Sequence, residues 1–130
     1  HLLSCARVEP ITLHADVELL ATALMNLIDN ACKYSQAHAP IEITVHRRGS
    51  MIGIAVSDRG CGIADEHLQK IFEQYFRVDP ASPIRGTGLG LAFVRKIMAL
   101  HQGSVEVTSA PGIGSRFCLW FPRRSPPTSI

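Results

Sequence analysis

Several things that would give a protein of this size an easy identity are missing from the sequence. No apolar run approaches the roughly 18 residues that span a bilayer, and His1 to Ala6 lead into charged sequence too soon for a secretory leader. The four cysteines (Cys5, Cys32, Cys61, Cys118) show no C-x-x-C spacing, and the six histidines show no zinc-type spacing. Reduced thiols and no structural metal are therefore expected. No long basic run exists either: 13 Lys and Arg against 11 Asp and Glu leave a net charge of +2. That balance excludes a dedicated nucleic-acid binder, and Arg47-Arg48 and Arg123-Arg124 read as solvated strand ends. Charged residues make up only 18% and hydrophobic residues 46% of 130 residues, which excludes a disordered chain. A chain this long can bury a core without disulfides, and one domain over 1–124 with a disordered tail at 125–130 is expected. The sequence does not begin with Met and reads as a piece of a longer protein.

What is present follows clear periods. Leu2 to Val8 and Ile11 to His14 read as short extended pieces separated by Pro10. Asp16 has N-cap chemistry, and Val17 to Ser35 carries a helical apolar period. Ile41, Ile43 and Val45 alternate with polar residues, as do Ile52, Ile54 and Val56, so 41–58 is predicted to be a hairpin turning at Gly49-Ser50. A short helix is expected near Asp65 to Phe72 and a loop over Val78 to Arg85, with its two prolines. Leu89 to His101 should be helical, and Val105 to Thr108 and Arg116 to Phe121 should be strands joined through Ala110 to Gly114. Paired strands with long helices imply an α+β two-layer sandwich, a mixed sheet covered on one face by about three helices.

Five segments carry candidate chemistry. On the long helix, Asn26, Asn30 and Lys33 fall within roughly 60° of one another, a polar stripe predicted to face away from Leu20, Leu24, Leu27, Ile28 and Ala31. Asparagine is a mediocre helix former, so two amides and an ammonium on one line suit oxyanions and a hydrated cation better than an ordinary solvated face. Asp58 shares strand parity with Ile52, Ile54 and Val56, so its carboxylate should turn toward the apolar side of the sheet. A carboxylate there needs hydrogen-bond donors, and a ligand amine such as that of adenine would serve. Gly60 and Gly62 after it would let backbone pass close to a flat ring. Gly86-Thr87-Gly88-Leu89-Gly90 runs straight into a helix, an anion-binding geometry, but it is neither a P-loop nor a Rossmann fingerprint. Phe72 to Arg77 and Gly112 to Phe117 complete the set; alone, each reads equally well as loop anchor and turn.

In this order and spacing the five segments resemble the N, G1, F, G2 and G3 boxes of the sensor histidine kinase catalytic domain, whose fold is shared with gyrase and mismatch-repair ATPases. N-L-I-D-N-A-C-K-Y at 26–34 and G-T-G-L-G-L-A at 86–92 are the most specific, and the likeness runs from about Ile11 to Pro122. The resemblance implies an ATP site between helices under a mobile lid at Val78 to Arg85. It implies Asn30 on Mg2+, Asn26 at the phosphates, Lys33 offsetting phosphate charge and Tyr34 beside the nucleotide. Asp58 would accept from adenine N6, with Gly60, Gly62 and Ile63 lining the base and Ser115 supporting Asp58 through water. Gly86, Thr87, Gly88, Leu89 and Gly90 would offer backbone contacts to phosphate, and Arg77 would reach the γ-phosphate. No histidine here has the family's phosphoacceptor context, so the acceptor would lie on a separate dimerisation domain of a two-component sensor, with a response regulator downstream. The parent would sit in the inner membrane with this part cytoplasmic and, isolated, monomeric. The lid is short, and the F box ends in F-E-Q-Y-F-R where F-Y-R is more usual. Three alternatives share parts of the pattern: a hydrolytic ATPase of the gyrase kind, a nucleotide-sensing module and an anti-sigma-factor serine kinase. The hydrolase places a Glu base where this sequence has Asn26, whose amide cannot accept a proton from water.

Overall fold

The computed structural model describes residues 3–5, 15–35, 39–68, 70–73 and 90–122. The first helix, α1 (Val17–Tyr34), begins where expected: the Asp16 side chain accepts the Leu19 N–H at 3.0 Å, an N-cap that satisfies one of the helix's unpaired donors. Its buried line is Ala23, Leu27 and Ala31, one turn apart. The second helix, α2 (Gly90–Leu100), buries Val94, Ile97 and Met98 and packs against α1. His101, just past the end of α2, joins the two helices. Its Nδ1–H donates to the Ile97 carbonyl at 2.8 Å, which leaves Nε2 to accept the Asp16 N–H at 2.9 Å.

Five strands among the described residues form one sheet in the order β1-β2-β3-β5-β4. They are β1 (Leu3–Cys5), β2 (Ile41–Arg48), β3 (Met51–Asp58), β4 (Ser104–Ala110) and β5 (Gly114–Pro122). Only β1 to β2 is parallel; every other neighbour is antiparallel, so the sheet is mixed. Gly49 and Ser50 close the β2–β3 hairpin, and Gly49 takes φ +60°, the left-handed conformation that such a two-residue turn requires.

The architecture is thus the predicted α+β sandwich, with two corrections. Two α-helices, not about three, lie on the sheet among the described residues. The segment after Ala64 winds through a single 3-10 turn, Asp65–His67, and further i→i+3 turns at Lys70 and Glu73. Its apolar residues act as anchors: Ile71 is buried, and Phe72 meets Phe117 edge-on at 6.2 Å. Strand β3, predicted to be half-buried, is covered on both faces, because Gly53 and Ala55 are buried as well as Ile52 and Val56. The predicted lid, the second extended piece at Ile11 to His14 and the tail lie outside the described residues. No described helix is long and apolar enough to cross a membrane.

Register explains where the core ends. Directly opposed residues of antiparallel strands point to one face. Ile54, Leu119 and Val105 form one helix-side row, and Val56, Phe117 and Val107 form the next. The row beyond is polar: Asp58, Ser115 and Ser109. The apolar rows belong to the main core beneath α1 and α2, and the polar row borders it.

Candidate functional site

Strand alternation carries Asp58 to the helix side, as its parity predicts, and half-buries it there. Its Oδ1 accepts the Gly60 N–H at 2.9 Å, and the backbone N–H of Ser115 also bonds the carboxyl. Burial pushes the Asp58 pKa above the ordinary carboxylate range, while the two N–H groups pull it back. A carboxylate in this state gains most from a donor that arrives with a ligand.

The segment after Asp58 is clamped from both sides. A Cβ on Gly60 would lie only 2.1 Å from the Tyr34 carbonyl oxygen, so glycine alone lets this loop pass beneath the end of α1. An isolated bridge joins Ser35 to Gly60, and the Cys61 N–H reaches the Tyr34 carbonyl at 3.4 Å. On the other side the Gly112 N–H donates to the Cys61 carbonyl at 2.7 Å. Gly62 has φ +73°, and a Cβ there would strike the Ala110 carbonyl. The Ile63 N–H then donates to Ser109 Oγ at 2.7 Å. Ser109 is the residue that sequence reasoning missed, because its partners lie 46 and 6 residues away and no short motif reports them.

Along α1 the polar stripe is real, but it does not face away from the core. Asn30 sits only about 20° round the helix from buried Ala23, at 100° per residue, and Asn26 and Asn30 are both half-buried. The predicted apolar side is on the core: Leu27 and Ala31 are buried, Leu20, Leu24 and Ile28 pack against it, and Ala23, on the flank nearer Asn30, is buried too. The reason is α2. Its first residue, Gly90, approaches Asn26 so closely that a Cβ would lie 3.3 Å from Asn26 Oδ1. Asn26 therefore faces the start of α2, where the glycine segment ends. Among the described residues neither carboxamide has a hydrogen-bond partner. Lys33 pairs with Asp29 at 3.1 Å, an exposed i,i+4 contact. Such contacts contribute about 0.3–0.5 kcal/mol and are readily exchanged. Tyr34 is exposed, and Ser115 is buried with its Oγ 2.9 Å from Ser109 Oγ. Arg77, Gly86, Thr87, Gly88 and Leu89 lie outside the described residues.

The donor set suits a nucleotide with a hard cation. No group of three or more His, Cys, Asp or Glu able to hold a metal exists among the described residues. Mg2+ does not need one: it keeps several waters and takes one or two protein oxygens together with substrate phosphates. The Asn30 carboxamide oxygen is chemically a donor of that kind.

The family described as histidine kinase-, DNA gyrase B- and HSP90-like ATPase matches residues 15–125. The sensor-like histidine kinase SenX3 of Mycolicibacterium smegmatis is 46% identical over 116 residues, 88% of this chain and 30% of SenX3. The sensor histidine kinase ZraS of Escherichia coli O157:H7 is 40% identical over 110 residues, 85% of this chain and 23% of ZraS. The chain thus spans less than a third of either relative. Among solved structures, full-length ShkA in complex with AMPPNP has a TM-score of 0.82 at 30% identity, over 93% of this chain and 25% of that one. The mycobacterial sensor histidine kinase MprB has a TM-score of 0.78 at 25% identity, over 93% and 79%.

Proposed function

The chain belongs to the histidine kinase-, DNA gyrase B- and HSP90-like ATPase family, as a catalytic ATP-binding domain of the sensor histidine kinase type, and on that premise we propose that it binds Mg-ATP and donates the γ-phosphoryl group to a histidine on a separate dimerisation and phosphoacceptor domain. The observation that carries the reading is the polar row ending the apolar sheet face. There Asp58 is half-buried, oriented by two backbone N–H groups and left with acceptor capacity for an exocyclic amine. The neighbouring α1 stripe supplies the other end of the ligand.

In this reading Asp58 accepts from adenine N6, and Gly60, Gly62 and Ile63 line the base. Tyr34 packs beside the nucleotide. Asn30 holds Mg2+, Asn26 contacts the phosphates or their waters, and Lys33 exchanges Asp29 for phosphate. The segment from Gly86 through Thr87, Gly88 and Leu89 to Gly90 presents N–H groups to the phosphates, and Arg77 reaches the γ-phosphate. When bound, Mg2+ neutralises charge that would otherwise repel an incoming nucleophile. Phosphoryl transfer needs little covalent work from the protein, only alignment and charge compensation. A neutral imidazole already presents a lone pair, so the site requires no general base, and Asn26 stands where a hydrolase would need one.

The partners of this reading are the phosphoacceptor domain of the same kinase and, downstream, a response regulator; nucleic acid is not among them. The parent is a membrane sensor with this domain on the cytoplasmic side and out of direct membrane contact, monomeric when isolated. The test is radiolabel transfer from ATP to a supplied phosphoacceptor domain. Transfer is expected with wild type and should be lost in Asn30→Ala, with negligible phosphate release by the domain alone. Sustained release near 1 per second, the low end of ordinary enzymes, would overturn the reading in favour of a hydrolase.

A further inference from the structure

Three groups converge on one hydroxyl in the polar row. Ser109 Oγ lies 2.7 Å from the Ile63 nitrogen, 3.0 Å from the Gly114 carbonyl oxygen and 2.9 Å from Ser115 Oγ. A serine hydroxyl has one proton and two lone pairs. The Ile63 N–H can only donate, so it occupies one lone pair. The Gly114 carbonyl can only accept, so it takes the proton. The remaining lone pair faces Ser115, and only the Ser115 proton can fill it. Ser109 is then saturated, and the proton of Ser115 is committed away from the site.

The consequence falls on Asp58. Ser115 stands directly opposite Asp58 in the β3–β5 register, on the same face. With its proton engaged, Ser115 Oγ offers lone pairs alone, and an ionised Asp58 likewise accepts only. We propose that Ser109 is a positioning residue for base specificity, holding Ser115 as an acceptor so that this end of the pocket favours an amino purine over an oxo purine. The same hydroxyl anchors the loop after Asp58 through Ile63. The inference rests on the adenine reading of Asp58 given above. It adds a residue outside the five sequence boxes and a reason for the choice of base.

The test compares the affinities of Mg-ATP and Mg-ITP by calorimetry, since ITP replaces the 6-amino group by an oxygen and adds nothing at position 2. Wild type should prefer ATP. In Ser109→Ala the Ser115 hydroxyl is free to turn and donate to an oxo group, and the ATP-to-ITP preference should fall roughly tenfold, the scale of one hydrogen bond inverted. Ser109→Thr keeps the hydroxyl and should keep the preference. Ser115→Ala should lose preference as Ser109→Ala does, and it decides the matter if Ser109→Ala fails to fold. A preference unchanged in either folded alanine variant overturns the proposal, as does an equal loss of both nucleotides, which is the mark of mere loosening. So does a Ser109→Thr chain that loses preference as fully as Ser109→Ala. If wild type binds neither nucleotide, the ATP reading itself falls; if wild type prefers ATP and Ser109→Ala still does, only the role of Ser109 falls.

Discussion

On the helix side of the sheet, Val56, Phe117 and Leu119 are buried beneath α1 and α2. On the opposite side Ala55, Cys118 and Trp120 are buried just as deeply, with no described helix above them. The second face covers itself. The Trp120 ring lies over Gly53, where a Cβ would meet ring carbon Cζ3 at 2.7 Å. The Arg48 guanidinium stacks on Trp120, 4.4 Å from the ring centroid, and reaches Glu106 at 3.2 Å. Burial there pushes the Cys118 thiol up to about 11, which makes it inert. The two faces also treat polar atoms differently. At the helix-side edge Ser109, Ser115 and Asp58 all find partners in a connected row, whereas Trp120 Nε1 is buried without one among the described residues. A face covered by a second layer can end in an ordered polar row open to a ligand. A face covered by its own long side chains gains burial but builds no such row.

Substitutions on the two faces should therefore separate stability from binding. The largest effect is expected from Phe117→Ala, which removes a buried ring next to Ser115 on the helix side. It should cost about 4 kcal/mol, and the shift in denaturation midpoint produced by Mg-ATP should shrink as well. If that shift stays at its wild-type size, the polar row does not depend on the core beneath it. Gly53→Ala comes next, on the other face. Its methyl cannot fit under a rigid indole without displacement, at a cost of about 2 kcal/mol. ATP affinity should stay at the wild-type value, and Trp120→Phe in the same chain should recover part of the loss. An affinity that falls with stability would show the two faces to be coupled.

The smallest effect concerns Asp58→Asn and depends on pH. Burial raises the folded pKa of Asp58 above its unfolded value, so the folded chain holds this proton more tightly. Its contribution to stability therefore declines as pH rises from below the unfolded carboxylate range through the folded pKa. The asparagine cannot titrate, so melting temperatures across that range should move in favour of Asp58→Asn as pH rises, while its adenine-nucleotide affinity falls. Parallel melting curves for the two proteins would refute burial as the cause of the shift.

Much of the site was legible because its cues are local. A period of two determines which face a strand residue takes, and that placed Asp58. The N-cap chemistry of Asp16 located the start of α1, and the glycines at 60 and 62 mark where backbone passes close to backbone. The stripe on α1 was found with the wrong outlook, because only the docking of α2 through Gly90 decides which flank of that helix is enclosed. The helix expected near Asp65 to Phe72 became a 3-10 turn because two anchors, Ile71 and Phe72, are held by the core rather than by a continuing helical ladder.

By itself the sequence determined the α+β class, the helix and strand order, the orientation of Asp58 and the family, since periodicity and motif spacing act over a few residues. Only the tertiary structure decided that Ser109 and Ser115 would complete the row begun by Asp58. It alone buried Trp120 on the face without a described helix and turned Asn26 toward Gly90. Those outcomes depend on strand register and helix docking between residues far apart in the chain, where a shift of one position would send every side chain to the other face.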